Sequence, residues 1–447
     1  MRKPLTVREF DTIVAASDDQ LNNKSYKTLD AGSFEELLKF VRDGKADEET
    51  ADVLEFLKIG FKRGVGYTLR PVNYVGLIQM ANGTQVEILP KVSFDSEEDT
   101  DCMLTKKILL RMLQSLKDFP CKVSAMSDLS IARLNLYEIF IRMYLDAVRQ
   151  LVRQGIRSTY VSYEENLKVF RGKLDVVQQI RLNAAHQERF AVTHDEFLPD
   201  RPENRLIKTT LNKLRNMTFS PESGKRIRQL MDAFDGVGMS DNIHADLDKV
   251  VLDRNMDYYA EIIRWSRIFL ENKSFTSFSG ADRARALLFP METVYESYVA
   301  QQLRRVFVPE GWSVSTQEKG QWLFMEPSRK FALRPDIVIR KDGRTVILDT
   351  KWKRLTNDPR FNYGISQADM YQMYAYGKKY EASEIWLLYP MTEEMRDCGP
   401  LRFNSGDGVT VHVHFVDLTE AAQGKGDIRA NMKELMEKIE NWYVYIT

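Results

Sequence analysis

The 447-residue chain is poor in cysteine, with Cys102, Cys121 and Cys398 its only three. They show no C-x-x-C spacing and cannot pair completely, which excludes a disulfide framework and a cysteine zinc site and suits a reducing compartment. Long apolar runs are missing too. No uninterrupted run approaches membrane-spanning length, and the opening MRKPLTVREFDTIVAASDD has no apolar h-region, so a soluble, intracellular protein with no membrane partner is expected. Net charge is absent, with 64 Lys and Arg against 64 Asp and Glu. That argues against holding nucleic acid by bulk electrostatics and leaves local patches open. There is no G-x-x-x-x-G-K-[ST] phosphate loop, so the chain is not expected to hydrolyse nucleotide by itself. Neither a helix-turn-helix nor a zinc-finger signature for reading bases is found. Repeats and low-complexity tracts are also lacking.

What is present is ordinary globular material, 43% apolar and 29% charged, in a chain longer than one hydrophobic core usually supports. Residues 34–58 read as helical. GYTLRPVNYVGLIQMANGTQVEILPKV, from Gly66 to Val92, reads as several strands, with Asn82-Gly83 marking a tight hairpin turn. The acidic run Asp95 to Asp101 reads as a solvated loop. From about Met103 the periodicity is helical, most clearly in ARLNLYEIFIRMYLDAVRQLVRQGI. Residues 158–200 mix strand and turn, and helical patterns resume to about Asn272. Ser274 to Gly280, SFTSFSG, is the candidate linker. Beyond it, helices near 291–307 and 366–380 alternate with strands, the signature of a central sheet flanked by helices. The expectation is a multidomain α+β protein with a β-rich N-terminal region and a helical middle. Its segments would be 1–157, 158–280 and 281–447.

One stretch of the last segment poses a problem of charge: RPDIVIRKDGRTVILDTKWKRL, Arg334 to Leu355. If Asp342-Gly343 is a two-residue hairpin turn, Lys341 pairs with Arg344 and Asp336 falls opposite Asp349. Lys351 then projects from the same face as Asp349, and Ile337, Ile339, Val346 and Leu348 line the opposite, core-facing side. Two opposed carboxylates repel unless something positive sits between them. Oxygen-only ligands at that separation suit Mg²⁺, which keeps several waters and accepts one or two carboxylates plus phosphate. Such a centre is a plausible phosphodiesterase site, with Lys351 holding or helping to deprotonate the attacking water. An isolated D-x-K is usually a surface ion pair; the second aspartate at the opposed register distinguishes this one.

Flanking helices contribute. METVYESYVAQQL puts Glu292 and Glu296 one turn apart, with Tyr295, Tyr298 and Val299 available for packing. SQADMYQMYAYGKKY puts Gln372 and Tyr376 at i and i+4; Tyr371, Tyr374 and Tyr376 read as core packing, and Gln372 as an amide on an apolar face in need of a partner. Helix glutamate, P-D, D-x-K and Q-x-x-x-Y together resemble the PD-(D/E)XK nuclease superfamily, with Glu296, Asp336, Asp349, Lys351 and Gln372 in the matching positions and Tyr376 a weaker match. Aspartate stands first in the D-x-K, and Glu292 and Glu296 remain alternatives for the helix acid. That resemblance implies metal-dependent DNA cleavage, with Asp336, Asp349 and Glu296 as ligands to Mg²⁺, for which Mn²⁺ could substitute.

YVGLIQMANGTQVEILPKV, FRGKLDVVQQI and THDEFLPDRPENR precede the nuclease motif in an order that resembles the McrC family, nuclease subunits of McrBC-type modification-dependent restriction systems. The resemblance runs from about Tyr74 to the C-terminus. It implies an endonuclease subunit of a prokaryotic, cytoplasmic complex that cuts methylcytosine-containing double-stranded DNA. It also implies an N-terminal region docked on a hexameric McrB-like AAA+ GTPase or ATPase, whose hydrolysis it stimulates.

Basic residues gather near the proposed site: Arg334, Arg340, Lys341, Arg344, Lys353, Arg354 and Arg360. Lys353 and Arg354 are the expected DNA contacts, and those at the turn serve equally well as a solvated sheet edge. His412 and His414 share a strand face without a third ligand, so a half-buried structural pair is expected. The acids of THDEFLPDRPENR read as structural: Asp200 or Glu203 accept backbone donors at the start of a helix from about Asn204, and Arg205 pairs with an acid. Arg171-Gly172-Lys173 is a strand turn or a partner contact.

Overall fold

The structure is a computed structural model, described over residues 4–16, 25–44, 56–80, 82–92, 98–117, 119, 134–252, 256–271, 284–419 and 428–444. Cys121 and the 274–280 linker lie outside these residues. The chain divides into two compact units, one built from residues 1–119, 126–133 and 274–447, the other from 120–125 and 134–273. This differs from the three successive segments expected, because the final segment folds back into the first unit.

The first unit begins with two four-stranded sheets. Strands β1 (Leu5–Arg8), β2 (Thr12–Ala15) and β3 (Tyr26–Leu29) precede helix α1 (Ala31–Gly44), then come β4 (Leu57–Lys62), β5 (Gly66–Pro71), β6 (Tyr74–Met80), β7 (Gln85–Leu89) and α2 (Glu98–Leu113). One sheet runs β3-β2-β5-β4. Its apolar face and that of α1 share a core that includes Ile13, Leu37, Val41, Phe56 and Leu69. The helix starts at Ala31, earlier than the 34–58 expected, and strand β4 starts at Leu57, inside that range; residues 45–55 lie outside the described residues. The Asn82-Gly83 turn is present but wider than two residues: Met80 pairs with Thr84, and Gly83 holds φ +83°. The acidic run is not simply a loop; from Glu98 it is helix, and Asp101 is buried against Arg8 in an ion pair.

The second unit contains α3 (Leu136–Gln154), β8 (Thr159–Leu167), β9 (Lys173–Leu174), α4 (Val176–Asn183), β10 (Phe190–Leu198), α5 (Pro202–Arg215), α6 (Pro221–Asp232), α7 (Ile243–Lys249) and α8 (Asp257–Glu271). Asn135 caps α3, its side chain accepting from the Glu138 amide at 2.7 Å, and the helix buries an apolar stripe that includes Phe140, Tyr144 and Leu151. Strands β8, β10 and β9 form a small antiparallel sheet. Gly172 at its turn has φ +77° and lies so close to Thr193 and His194 that no side chain would fit, which makes it a strand turn. Helix α5 begins at Pro202 rather than Asn204, and no side chain caps it. Asp200 instead accepts from Arg205 at 2.7 and 2.8 Å and from the Gly238 amide at 2.9 Å.

Returning to the first unit, β11 (Ala284–Pro290) pairs antiparallel with β6 over seven positions, giving the sheet β1-β7-β6-β11. This pairing is what joins the C-terminal residues to the N-terminal ones. Then follow α9 (Met291–Phe307), β12 (Ser313–Thr316), β13 (Gln321–Phe324), β14 (Lys330–Leu333), β15 (Ile337–Lys341), β16 (Arg344–Thr350), α10 (Gln367–Tyr380), β17 (Glu384–Pro390), β18 (Arg402–Asn404), β19 (Thr410–Val416) and α11 (Arg429–Val444). The large sheet has order β12-β15-β16-β17-β19-β18, parallel across β16, β17 and β19 and antiparallel elsewhere. Strands β13 and β14 form a separate two-stranded ribbon. Both faces of β15 and β16 are buried, since Val338 and Ile347 are as inaccessible as Ile337, Ile339, Val346 and Leu348. The expectation of one core-facing side fails because helices cover both faces of a sheet with a parallel centre.

Candidate active site

The hairpin forms as its sequence requires. Asp342 and Gly343 take φ +50° and +78°, the two left-handed residues of a type I′ turn, and Lys341 faces Arg344. Ile337 therefore pairs with Leu348, and the next step outward brings Asp336 level with Asp349. The Asp336 carboxylate accepts from the Thr350 amide at 2.8 Å and from the Thr350 hydroxyl at 2.7 Å. Asp349 is 1% exposed, and its Oδ2 lies 2.6 Å from Lys351 Nζ but has no well-aligned hydrogen-bond donor. Burial, with the Asp336 charge adding to it, pushes the Asp349 carboxyl up to about 7.

Helix α9 places its two glutamates differently. Glu292 is exposed, whereas Glu296 is half-buried and meets Gln317, whose Nε2 donates to Glu296 at 2.7 Å and to Asp336 at 3.4 Å. Burial and then Asp336 push Glu296 up to about 7. Tyr295, Tyr298 and Val299 pack in the core, as their spacing indicates.

Helix α10 supplies the remaining member. Its N-cap Ser366 accepts from the Asp369 amide at 3.1 Å. Gln372 Oε1 accepts from Lys351 Nζ at 3.2 Å, Gln372 Nε2 donates to the Tyr376 hydroxyl at 2.8 Å, and that hydroxyl donates to the Arg334 carbonyl at 3.0 Å. Gln372 thus sits on an exposed face rather than an apolar one, held by its site partners. Of the three tyrosines, Tyr376 alone is core; Tyr371 and Tyr374 are exposed, the first accepting from Gln367 and the second donating to Asp407. Burial opposes a charge on Lys351, but the Asp349 carboxylate prevails and raises its pKa, so the side chain is a firm cation. It is a poor base and a good electrostatic anchor.

The structure therefore gathers Glu296, Asp336, Asp349, Lys351 and Gln372. Sequence reasoning missed Gln317, Thr350 and Asp369. Gln317 reaches the site only because its backbone amide pairs with the Asp336 carbonyl at 3.0 Å, and no local motif announces it. Thr350, between the D and the K, could have been suspected as a donor.

The donor set is hard oxygen. Two of its carboxyls are raised towards neutrality and one buried oxygen is without an aligned donor, which fits a small divalent cation such as Mg²⁺ or Mn²⁺. Among the described residues no three acidic, histidine or cysteine side chains close into a cage of their own. His412 and His414 are elsewhere and structural: His412 stacks on Trp386 at 4.4 Å and His414 bonds Asn431 at 3.2 Å.

The cations expected to meet DNA are mostly occupied. Arg340 is held by Glu318, Lys341 by Glu440, Arg344 by Glu384, Arg360 by Asp358 and Lys353 by Asp369 at 2.8 Å. Arg354 donates to the Lys91 carbonyl. Lys91 Nζ in turn donates to the Trp352 carbonyl at 2.8 Å, and the Trp352 indole donates to buried Glu9 at 2.9 Å, so the residue after Lys351 is anchored to the N-terminal strands.

Fold and site together define a multidomain α+β protein whose mixed C-terminal sheet carries a carboxylate–lysine centre. The family described as McrBC 5-methylcytosine restriction system component matches residues 69–390, well over half of the chain. The chain belongs to this family, in agreement with the sequence resemblance. Among solved structures it is similar to a chain of the refined half-complex from the tetradecameric assembly of Thermococcus gammatolerans McrB AAA+ hexamers with bound McrC. That match covers 98% of this chain and 100% of that one, with TM-score 0.75 and 20% identity. A chain of the Thermococcus gammatolerans McrBC complex matches with TM-score 0.52 and 20% identity, over 68% of this chain and 88% of that one. No curated protein matches.

Proposed function

We propose that the chain is the McrC-like subunit of an NTP-driven restriction complex, a Mg²⁺-dependent endonuclease acting on methylcytosine-containing double-stranded DNA. The observation that carries this reading is Asp349, a carboxyl buried to 1% exposure beside a second carboxylate and a lysine. A buried charge of this kind is costly to a fold and is retained where a cation and a reaction use it. Asp336, Asp349 and Glu296 would hold Mg²⁺, which supplies charge neutralisation at the scissile phosphate and acidifies water. Lys351, fixed by Asp349 and Gln372, orients the attacking water and offsets the charge that builds on the phosphoryl oxygens. Thr350 and Gln317 hold the carboxylates in place. Lys353, close to the centre on the same chain segment, contacts the DNA backbone; Arg354 serves mainly to lock the Lys91 strand end.

The partner is an McrB-like AAA+ hexamer using GTP or ATP. Support for a docking face comes from the second unit, where the small sheet and α4 leave Tyr160, Val177, Ile180 and Phe197 between 61% and 76% exposed. Tyr160 and Phe197 touch, with ring centroids 4.9 Å apart, a paired apolar surface of the kind that partners cover. The test is cleavage of methylated and unmethylated plasmid by the chain alone and by the chain with its AAA+ partner, GTP or ATP, and Mg²⁺, comparing wild type with Asp349→Ala. Wild type should cut only with partner and nucleotide, and Asp349→Ala should lose cutting while still stimulating the NTPase. Cutting that survives the substitution would sink the assignment, and NTPase stimulation without cutting by wild type would leave an adaptor.

A further inference from the structure

Between Gln317, which bridges two of the site's carboxylates, and Asp336, which is one of them, the chain leaves the large sheet and makes the β13–β14 ribbon. Gln321 pairs with Leu333, Trp322 with Ala332 and Phe324 with Lys330. Little of it is covered. Phe324, Met325 and Phe331 are 55%, 54% and 71% exposed, the two phenylalanines in edge contact at 6.0 Å. Phe331 holds φ +55°, a conformation that a bulky aromatic rarely adopts and that the ribbon maintains without burying the ring. Lys319, Arg329, Lys330 and Arg334 are interleaved with these apolar groups, and all four are exposed.

These four cations differ from the others around the site. Arg340, Lys341, Arg344, Lys353 and Arg360 are each neutralised by an acid of the same chain. Among the described residues Lys319, Arg329, Lys330 and Arg334 make no ion pair; Arg329 rests over the Trp322 ring at 4.8 Å, which orders it without neutralising it. A fold that pairs those five cations with its own acids has left these four available. Glu318 is spent on Arg340, so Glu326 is the acid the ribbon itself brings.

We propose that the ribbon Gln321–Leu333 grips the DNA duplex next to the scissile phosphate, with Arg329, Lys330 and the flanking Lys319 and Arg334 on backbone phosphates and Phe324, Met325 and Phe331 against the groove. The inference rests on the nuclease reading for the identity of the substrate. Charge complementarity selects a polyanion, and continuity with the site selects the stretch of it nearest the cut. A two-stranded ribbon is of a size that the major groove admits, and apolar side chains at a groove wall add contact without reading sequence.

The test is binding of a fluorescent duplex to the full chain in EDTA over a salt series, with cleavage kinetics of the complex alongside. Arg329→Ala with Lys330→Ala should lower the slope of log affinity against log salt by about two units and raise KM with little change in kcat. Stimulation of the partner NTPase should be unaltered in the same variant, and Arg329→Lys with Lys330→Arg should restore the slope. Phe324→Ser with Phe331→Ser should weaken binding while leaving the slope alone. An unchanged slope and KM in the double alanine variant would overturn the proposal, as would a wild-type chain that binds no duplex. If the double alanine variant shows the expected slope change and wild type never cuts, the nuclease reading fails and the ribbon stands.

Discussion

Asp349→Asn isolates the group on which the site depends. In an unfolded chain this carboxyl titrates near 3.8, and in the fold burial and Asp336 carry it to about 7. Three units at about 1.4 kcal/mol each make ~4 kcal/mol. Because the native state holds the proton more tightly, it binds the extra proton between those two pH values, and stability falls as pH rises through that window. Above about 7 both states are ionised and the full cost remains. Glu296, also raised to about 7, acts in the same direction. The metal-free protein should therefore be more stable near pH 5 than near pH 8, and Asp349→Asn should flatten part of that slope, by up to ~4 kcal/mol across the window. A divalent cation on these carboxylates competes with the proton, so Mg²⁺ should raise the wild-type melting temperature more near pH 8 than near pH 6, and do little for the variant. Calorimetry of the full chain in EDTA and in Mg²⁺ over a pH series measures both. Superimposable pH profiles for wild type and variant would refute the argument from burial, and an equal Mg²⁺ shift in both would refute the ligand role.

Lys351→Met should abolish cleavage, read as kcat in plasmid nicking, while NTPase stimulation persists, because the cation touches only the centre. Glu9→Gln weakens the anchor of Trp352 and should lower kcat with little effect on KM; a normal kcat with a lowered melting temperature would confine that network to stability. Gly76→Ala forces a methyl group into the Leu287 carbonyl of β11 at φ +134° and should cost ~3 kcal/mol or more, or prevent folding, as urea unfolding would show. His412→Gln with His414→Gln should leave the Mg²⁺ requirement of cleavage untouched, since neither imidazole is near the carboxylates.

By itself the sequence determined what local rules control. Asp342-Gly343 dictated a type I′ turn, and a side-chain period of two then carried Asp336 to Asp349 and Lys351 to their common face. The i, i+4 spacing of Gln372 and Tyr376 set a helix pair that the fold joins by a hydrogen bond. Tertiary structure decided everything that depends on elements distant in the chain. Pairing of β11 with β6 merged the ends of the chain into one unit, because backbone hydrogen bonds along a strand edge leave no pattern in the residues that form them. Register between β12 and β15 brought Gln317 between Glu296 and Asp336 and so separated Glu296 from Glu292, which periodicity cannot do one turn apart on a helix. The same assembly paired most of the nearby cations with acids far away in sequence and left those of the ribbon free, since whether a charge is available is a property of its three-dimensional neighbours.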